Sequence, residues 1–341
     1  MKLASKALKS LVCMLSIAVV LPSLAFGADA KYPYGENNIS YSGSICGSPT
    51  AIAKEKGFFD EEGVKINVVG GVSFEAQRTA LATGKLAVVN GDFQFFPAVY
   101  NGVDVKLIAG LHEGCIKVLV PNNSPIKSAK DLKGKKIGVD EIGGTPMSVV
   151  SVLMGSQGFN PQTDAQWIPY PNDQLITALE KGEIDVAAAW DPFATIIEQR
   201  GGYRVISDIS TDPLFAGKNC CFLFASGKII KENPGQIAAI LRAYNKATKW
   251  MGDNPDEAAA ILVNKKYVAT NDVKLVATLI KQYKYGNHSG IASNAQSKQD
   301  AVYFATQLTT FGYLPKNLNV QTFVNNMYVD IFAIEAASKK K

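Results

Sequence analysis

Two α/β lobes are expected from this chain, and three observations predict them. Short apolar runs of strand length alternate with helical segments, separated by turns rich in glycine and polar residues. A length of 341 residues suits two domains of about 100–200 residues each. A loop of proline, asparagine and serine at Pro121–Pro125 and a β-like run at Cys220–Ala225 bracket a middle block. They predict one crossing into a second lobe and one crossing back.

In chain order, Ile39–Tyr41 reads as the first strand and Ser42–Ser48 as a loop of small residues. Pro49–Lys56 reads as a helix stopped at Gly57, where a left-handed cap is expected. Lys65–Val69 is a second strand, and Ser73 caps a helix to Thr83 with Ala76, Ala80 and Leu81 on one face. Leu86–Val89 is a third strand, Gly91–Gln94 a turn into an aromatic helix, and Val105–Ala109 a fourth strand. Ile116–Val120 follows as another strand. The second lobe then has strands at Lys136–Val139, Gln166–Ile168, Val186–Ala189 and Tyr203–Ile206, with helices at Met147–Gln157, Asp173–Lys181 and Pro192–Arg200. From Pro234 the pattern is mostly helical, with breaks near Pro255, Asn271 and Pro315, and this tail is expected to pack on the first lobe. No internal repeat is visible.

The most informative stretch is Ser128–Met147, read as strand, glycine-rich turn and helix. Thr145 is a candidate N-cap there, and Pro146 suits the first helical position. Free N–H groups at such a helix start offer a seat for an anionic or strongly polar ligand. The alternative is an ordinary strand-to-helix turn. The glycine spacing is not a dinucleotide fingerprint and no Walker lysine follows, so nucleotide binding is not indicated.

Lys2, Lys6 and Lys9, the apolar run Leu11–Leu21 and the small residues near Gly27 predict a cleaved secretory leader at residues 1–27. Removing it lowers the formal net charge from +5 to +2, which gives no basic face for nucleic acid. Cys46, Cys115, Cys220 and Cys221 then remain, and an exported chain permits disulfides among them. Hydrophobic residues at 47% and charged residues at 19% fit a packed globular protein rather than a disordered one.

The sequence also resembles the solute-binding proteins of ABC importers for nitrate, sulfonates, taurine and thiamine precursors, the NMT1/THI5-like family. The matching stretches are Pro49–Asp60 with Gly63, Ala80–Lys85, Gly102–Ala109, Asp131–Val139, Ala178–Val186, Trp190–Phe193 and Ile230–Pro234. The resemblance implies a type II periplasmic binding protein, with two α/β lobes joined by two crossing segments and a ligand cleft between them. Its boundaries fall at 28–118 with 221–341 for the first lobe and 119–220 for the second. The implied cleft residues are Ser44, Cys46, Ser73, Phe74, Asp92, Gln94, His112, Cys115, Gly144, Thr145, Trp190 and Asp191. Polar members would orient a solute, and Phe74 and Trp190 would supply flat apolar walls. Simple core packing is the alternative for Trp190, and a helix cap before Pro192 for Asp191. The resemblance further implies a periplasmic, non-catalytic monomer that needs no cofactor and delivers a small molecule to an ABC importer permease.

Two departures from that family stand out. Outside the leader there are four arginines, Arg78, Arg200, Arg204 and Arg242, which is few for an anion receptor. Thiamine-pyrimidine relatives carry a Cys-Cys-Cys-Phe-Cys run where this chain has Asn219-Cys220-Cys221-Phe222-Leu223-Phe224. A pyrimidine synthase on the same fold is therefore one alternative. A metal or metal-complex carrier is the other, because His112 and Cys115 stand three apart with further thiols expected nearby. A disulfide with buried thiols is preferred to a metal site, and none is assigned. No GxSxG or HExxH motif is present, and His288 is given no role.

Overall fold

The computed structural model describes residues 31–41, 43–283, 285 and 291–340. The expected leader at 1–27, like His288, lies outside the described residues. No helix among the described residues is long and apolar enough to cross a membrane.

Among the described residues ten strands form two five-stranded sheets. They are β1 (Glu36–Tyr41), β2 (Lys65–Gly70), β3 (Val88–Asp92), β4 (Val105–His112), β5 (Ile116–Pro121), β6 (Lys136–Val139), β7 (Gln166–Pro169), β8 (Val186–Trp190), β9 (Tyr203–Asp208) and β10 (Cys221–Ser226). The first sheet runs β2-β1-β3-β10-β4 and the second β7-β6-β8-β5-β9. In each, one antiparallel strand arrives from the other half of the chain, β10 in the first and β5 in the second. The two lobes thus repeat one strand order although the sequence shows no repeat. Alternation of apolar strands with amphipathic helices fixes this topology without fixing particular residues.

The first change of sheet occurs upstream of the expected boundary at 118/119. The chain leaves β4 at His112 and enters β5 at Ile116, and Ile116, Lys117 and Val118 already pair with Trp190, Ala189 and Ala188 of the second sheet. Pro121–Pro125, whose composition suggested a linker, is the turn after β5, closed by Ser124 N–H donating to Pro121 O at 2.9 Å. The crossing itself is Glu113-Gly114-Cys115. Gly114 has φ 58°, and a Cβ there would stand 2.7 Å from Ser210 Cβ, so a side chain is excluded twice over. The return lies between Asp208, the end of β9, and Cys221, the start of β10.

Helix starts follow from local capping. Ser73, Asp272, Ser293, Asn319 and Asp330 each accept a backbone N–H from the first turn of the helix they precede. The long helix Pro234–Asp253 buries Ile237, Ile240, Leu241, Tyr244, Ala247 and Met251, a spacing of three and four residues that puts them on one face. This face packs on helix Ser48–Glu55, where the Thr50 and Tyr244 hydroxyls share a hydrogen bond of 2.5 Å.

The helical tail reaches further than expected. Helix Asn294–Thr310 packs on β4 and also on helix Thr145–Ser156 of the second lobe. The Ser151 and Tyr313 hydroxyls meet there at 2.9 Å.

Three local readings change. Helix Phe74–Thr83 buries Gln77 and Leu81 and leaves Ala76 exposed, because the Gln77 side chain turns in to donate to Val72 O at 2.8 Å. The third strand starts at Val88 and runs to Asp92, so Asp92 ends a strand rather than opening a turn. Thr145 is the first residue of helix Thr145–Ser156, whose N-cap is Gly144. Its hydroxyl is engaged across the cleft and does not cap the helix.

Candidate functional site: the interlobe cleft

Strand ends deliver the site, as the topology requires of loops beyond a parallel sheet. Ser44 and Cys46 follow β1, Ser73 and Phe74 follow β2, and Asn90, Gly91 and Asp92 close β3. From the second lobe come Asp140, Glu141 and Thr145 after β6 and Trp190 at the end of β8. The antiparallel strands β5 and β10 begin at the cleft, which brings Cys115, Ile116 and Cys221 to its floor. Together these residues enclose about 300 Å³.

The lobes touch across this cavity. Thr145 Oγ1 donates to Asp92 Oδ2, and Gln94 Nε2 donates to the same carboxylate oxygen and to Thr145 Oγ1, both at 3.3 Å. Gln94 N–H adds a 2.7 Å bond to Asp92 Oδ1. Burial nevertheless pushes the Asp92 carboxyl up to about 7, against the opposing pull of Thr145 and Gln94. Phe74 N–H donates to Glu141 Oε2 at 3.4 Å, a second link between lobes.

The charged side chains lining the cavity are Asp92, Asp140 and Glu141, with no lysine or arginine among the lining residues. Arg78 bonds Glu75, Arg200 pairs with Glu180, Arg204 donates to the Pro121 and Ser124 carbonyls, and Arg242 pairs with Glu62 and Glu335. Each arginine of the described residues is therefore engaged away from the cleft. Asp140 accepts from Trp190 Nε1 at 2.6 Å and Asn172 Nδ2 at 3.4 Å, while burial raises its carboxyl above the ordinary value. Gln77 Oε1 and Asn90 Oδ1, on two lining residues, are buried acceptors with no hydrogen-bond partner.

At the floor and beside it the four cysteines converge as free, buried thiols. Cys115 Sγ lies 3.8 Å from both Cys220 Sγ and Cys221 Sγ, and the latter two are 3.9 Å apart. His112 is fully buried beside them, with Nδ1 held by Glu113 O at 3.1 Å and its ring stacked on Tyr283 at 4.9 Å.

This two-lobe arrangement has known counterparts. The model of the NMT1/THI5 like family matches residues 48–258, well over half of the chain. The chain belongs to the NMT1/THI5 like family. A putative aliphatic sulfonates-binding protein of Bacillus subtilis is 28% identical over 291 residues, covering 83% of this chain and 84% of that one. The nitrate/nitrite binding protein NrtA of a Nostoc species is 24% identical over 317 residues, covering 82% and 71%. The alkanesulfonate-binding protein SsuA from Xanthomonas axonopodis pv. citri, solved bound to MOPS, superimposes with a TM-score of 0.70 at 17% identity. That match covers 84% of this chain and 97% of that one. The periplasmic binding fold expected from the sequence is thereby shown.

In this NMT1/THI5-like chain, Ser44, Cys46, Ser73, Phe74, Asp92, Cys115, Thr145 and Trp190 line the cavity. Gln94 stands behind Asp92 and orients it, and Gly144 caps the helix beside the Phe74 ring, 3.3 Å from where its Cβ would be. His112 lies below the floor. Asp191 is buried and accepts from Thr195 N–H and Oγ1 at 3.0 and 2.7 Å, with burial pushing its carboxyl up to about 6. It thus ties down the first turn of helix Phe193–Gln199 from just before Pro192, the N-cap. Sequence reasoning missed Gln77, Asn90, Asp140 and Glu141 as lining residues, and Cys221 was expected near the pocket without being named in the site. Asp140 and Glu141 had a readable signal, since they directly follow a strand within the glycine-rich stretch. Gln77 and Asn90 had none, because their orientation is decided by tertiary packing.

Proposed function

We propose that this chain is an extracytoplasmic receptor that closes on a small organic solute and delivers it to the membrane subunits of an ABC importer. The observation that carries the reading is the cavity lined from both sheets, with Asp92 of one lobe bonded to Thr145 of the other. A solute seated there touches both lobes, and contact with both gives the differential affinity that drives closure. The named relatives are binding proteins, which supports reversible binding rather than turnover. Export through the leader at residues 1–27, a periplasmic location and a monomeric state belong to the same reading.

The lining also sets a solute class. Its carboxylates and its unpartnered Gln77 and Asn90 oxygens are acceptors, and no cationic side chain faces the cavity. A buried acceptor left unpaired costs about 1–3 kcal/mol, so the favoured solute brings N–H or O–H donors and carries no net negative charge. Phe74 and Trp190 suit a flat apolar part of that molecule.

Native mass spectrometry of protein purified from its own cell envelope, followed by denaturation and analysis of what is released, tests this. One neutral or cationic donor-bearing solute per chain, released unchanged, is the expected result. Tight one-to-one binding of an alkanesulfonate or nitrate would overturn the solute class and leave the receptor standing. Release of a chemically altered molecule would overturn the receptor.

A further inference from the structure

We propose that Cys46, Cys115, Cys221 and His112 form a binding site for one thiophilic metal ion of the zinc class at the junction of the two crossing segments. The site does not rest on the receptor reading. Among the described residues these four bring three Sγ atoms and one imidazole nitrogen within 4.8 Å of one another, and all four are buried. A tetrahedral ion with metal–sulfur bonds of about 2.3 Å sets its sulfurs roughly 3.8 Å apart. Cys115 Sγ and Cys221 Sγ already stand 3.8 Å apart.

The imidazole is prepared for the same role. A metal-ligating histidine gives its second nitrogen to a carbonyl or carboxylate, which fixes the tautomer and the ring. His112 Nδ1 is 3.1 Å from Glu113 O, and the ring stacks on Tyr283 and meets Tyr285 edge-on. Nε2 is left buried without a hydrogen-bond partner. The imidazole interacts with the Cys46 thiol, itself one of the four groups. An ion shared between that sulfur and Nε2 would take a lone pair from each. The three thiols lose their protons to solvent on binding, and no electron transfer is involved.

Position gives the site a consequence. Cys46 comes from the turn after β1, His112 ends β4, Cys115 ends the first crossing just before β5 and Cys221 opens β10 after the return. One ion would therefore tie both crossing segments to the first lobe and hold the cleft floor. Cys220 stands outside the four and supplies a control.

The test uses the full chain freed of metal with a chelator under a thiol reductant, titrated with Co²⁺ and then with Zn²⁺. A thiolate-to-cobalt charge-transfer absorption saturating at one ion per chain, and its displacement by Zn²⁺, are expected. Cys115→Ser should weaken binding by at least roughly 100-fold, the upper end of what changes outside the ligand set cost. Cys220→Ser should bind as the parent does. Circular dichroism checks the fold of each variant, and His112→Gln and Cys46→Ser serve if Cys115→Ser does not fold. Folded parent protein that gives no charge-transfer absorption would overturn the site, and a loss in Cys220→Ser equal to that in Cys115→Ser would overturn the ligand assignment.

Discussion

Thr145 Oγ1 and Asp92 Oδ2 are hydrogen-bonded across the cleft, joining the end of β3 to the first turn of the helix that follows β6. The two residues lie 53 positions apart and belong to different sheets. Their contact exists only when the lobes are together, so it favours the arrangement in which they meet.

Thr145→Val keeps the shape of the side chain and removes the donor. A hydrogen bond contributes about 0.5–1.5 kcal/mol to a neutral acceptor and about 1.5–3 kcal/mol to a charged one. Closure should therefore weaken and apparent solute affinity should fall, by roughly tenfold or more above about pH 7 where Asp92 is ionised. Small-angle scattering of the solute-free variant should show a larger radius of gyration than the parent. Unchanged radius and affinity would mean that the pair does not hold the lobes together.

Asp92 also predicts a pH dependence. Burial raises its carboxyl from 3.8 to about 7 in the folded protein. The folded chain therefore binds a proton that the unfolded chain has released between those values. Its contribution is full below about pH 4 and declines as pH rises to about 7, by up to roughly 1.4 kcal/mol per pH unit. Asp92→Asn has no such proton to lose, so urea denaturation should show a flatter stability profile across that window. Parallel profiles for parent and variant would assign the titration elsewhere.

How much of this was legible beforehand differs between fold and site. Strand and helix order was readable because alternation and caps are local, as at Ser73 and Gly57. The first crossing was misplaced because Pro121–Pro125 has linker composition while the true crossing carries one signal, Gly114. Thr145 has cap chemistry, yet the cap position falls on Gly144 and the Thr145 hydroxyl is engaged by a carboxylate from the other lobe. Convergence of Cys46, Cys115, Cys220 and Cys221 was expected from the cleft loops and the return crossing. The unpaired Nε2 of His112 depends on packing around Tyr283 and Tyr285, which no local pattern reveals.

Trp190 holds Asp140 through a 2.6 Å indole bond while its ring packs edge-on to Phe193, with centroids 5.1 Å apart. Trp190→Phe keeps an aromatic wall and removes the donor. Asp140 then loses its shortest hydrogen bond, and stability should fall by roughly 1.5–3 kcal/mol in denaturant titration at neutral pH. Combining it with Asp140→Ala should cost little more than Asp140→Ala alone, because the two changes remove one interaction. Additive costs would show that the ring rather than the hydrogen bond matters.

Gly155 tests how the helical tail grips the second lobe. A Cβ at that position would fall 2.2–2.5 Å from ring atoms of Phe311, which is too close for any real contact. Two effects compete in Gly155→Ala. Helix propensity gains about 1 kcal/mol, while forcing an extra methyl into a packed contact costs about 1–3 kcal/mol. The parent background should therefore be destabilised. In a Phe311→Ala background the ring is gone and only the propensity gain remains, so the same substitution should stabilise. Denaturation of the four proteins gives both signs directly. Stabilisation in the parent background would show that Phe311 moves aside freely and that the tail does not fix the position of helix Thr145–Ser156.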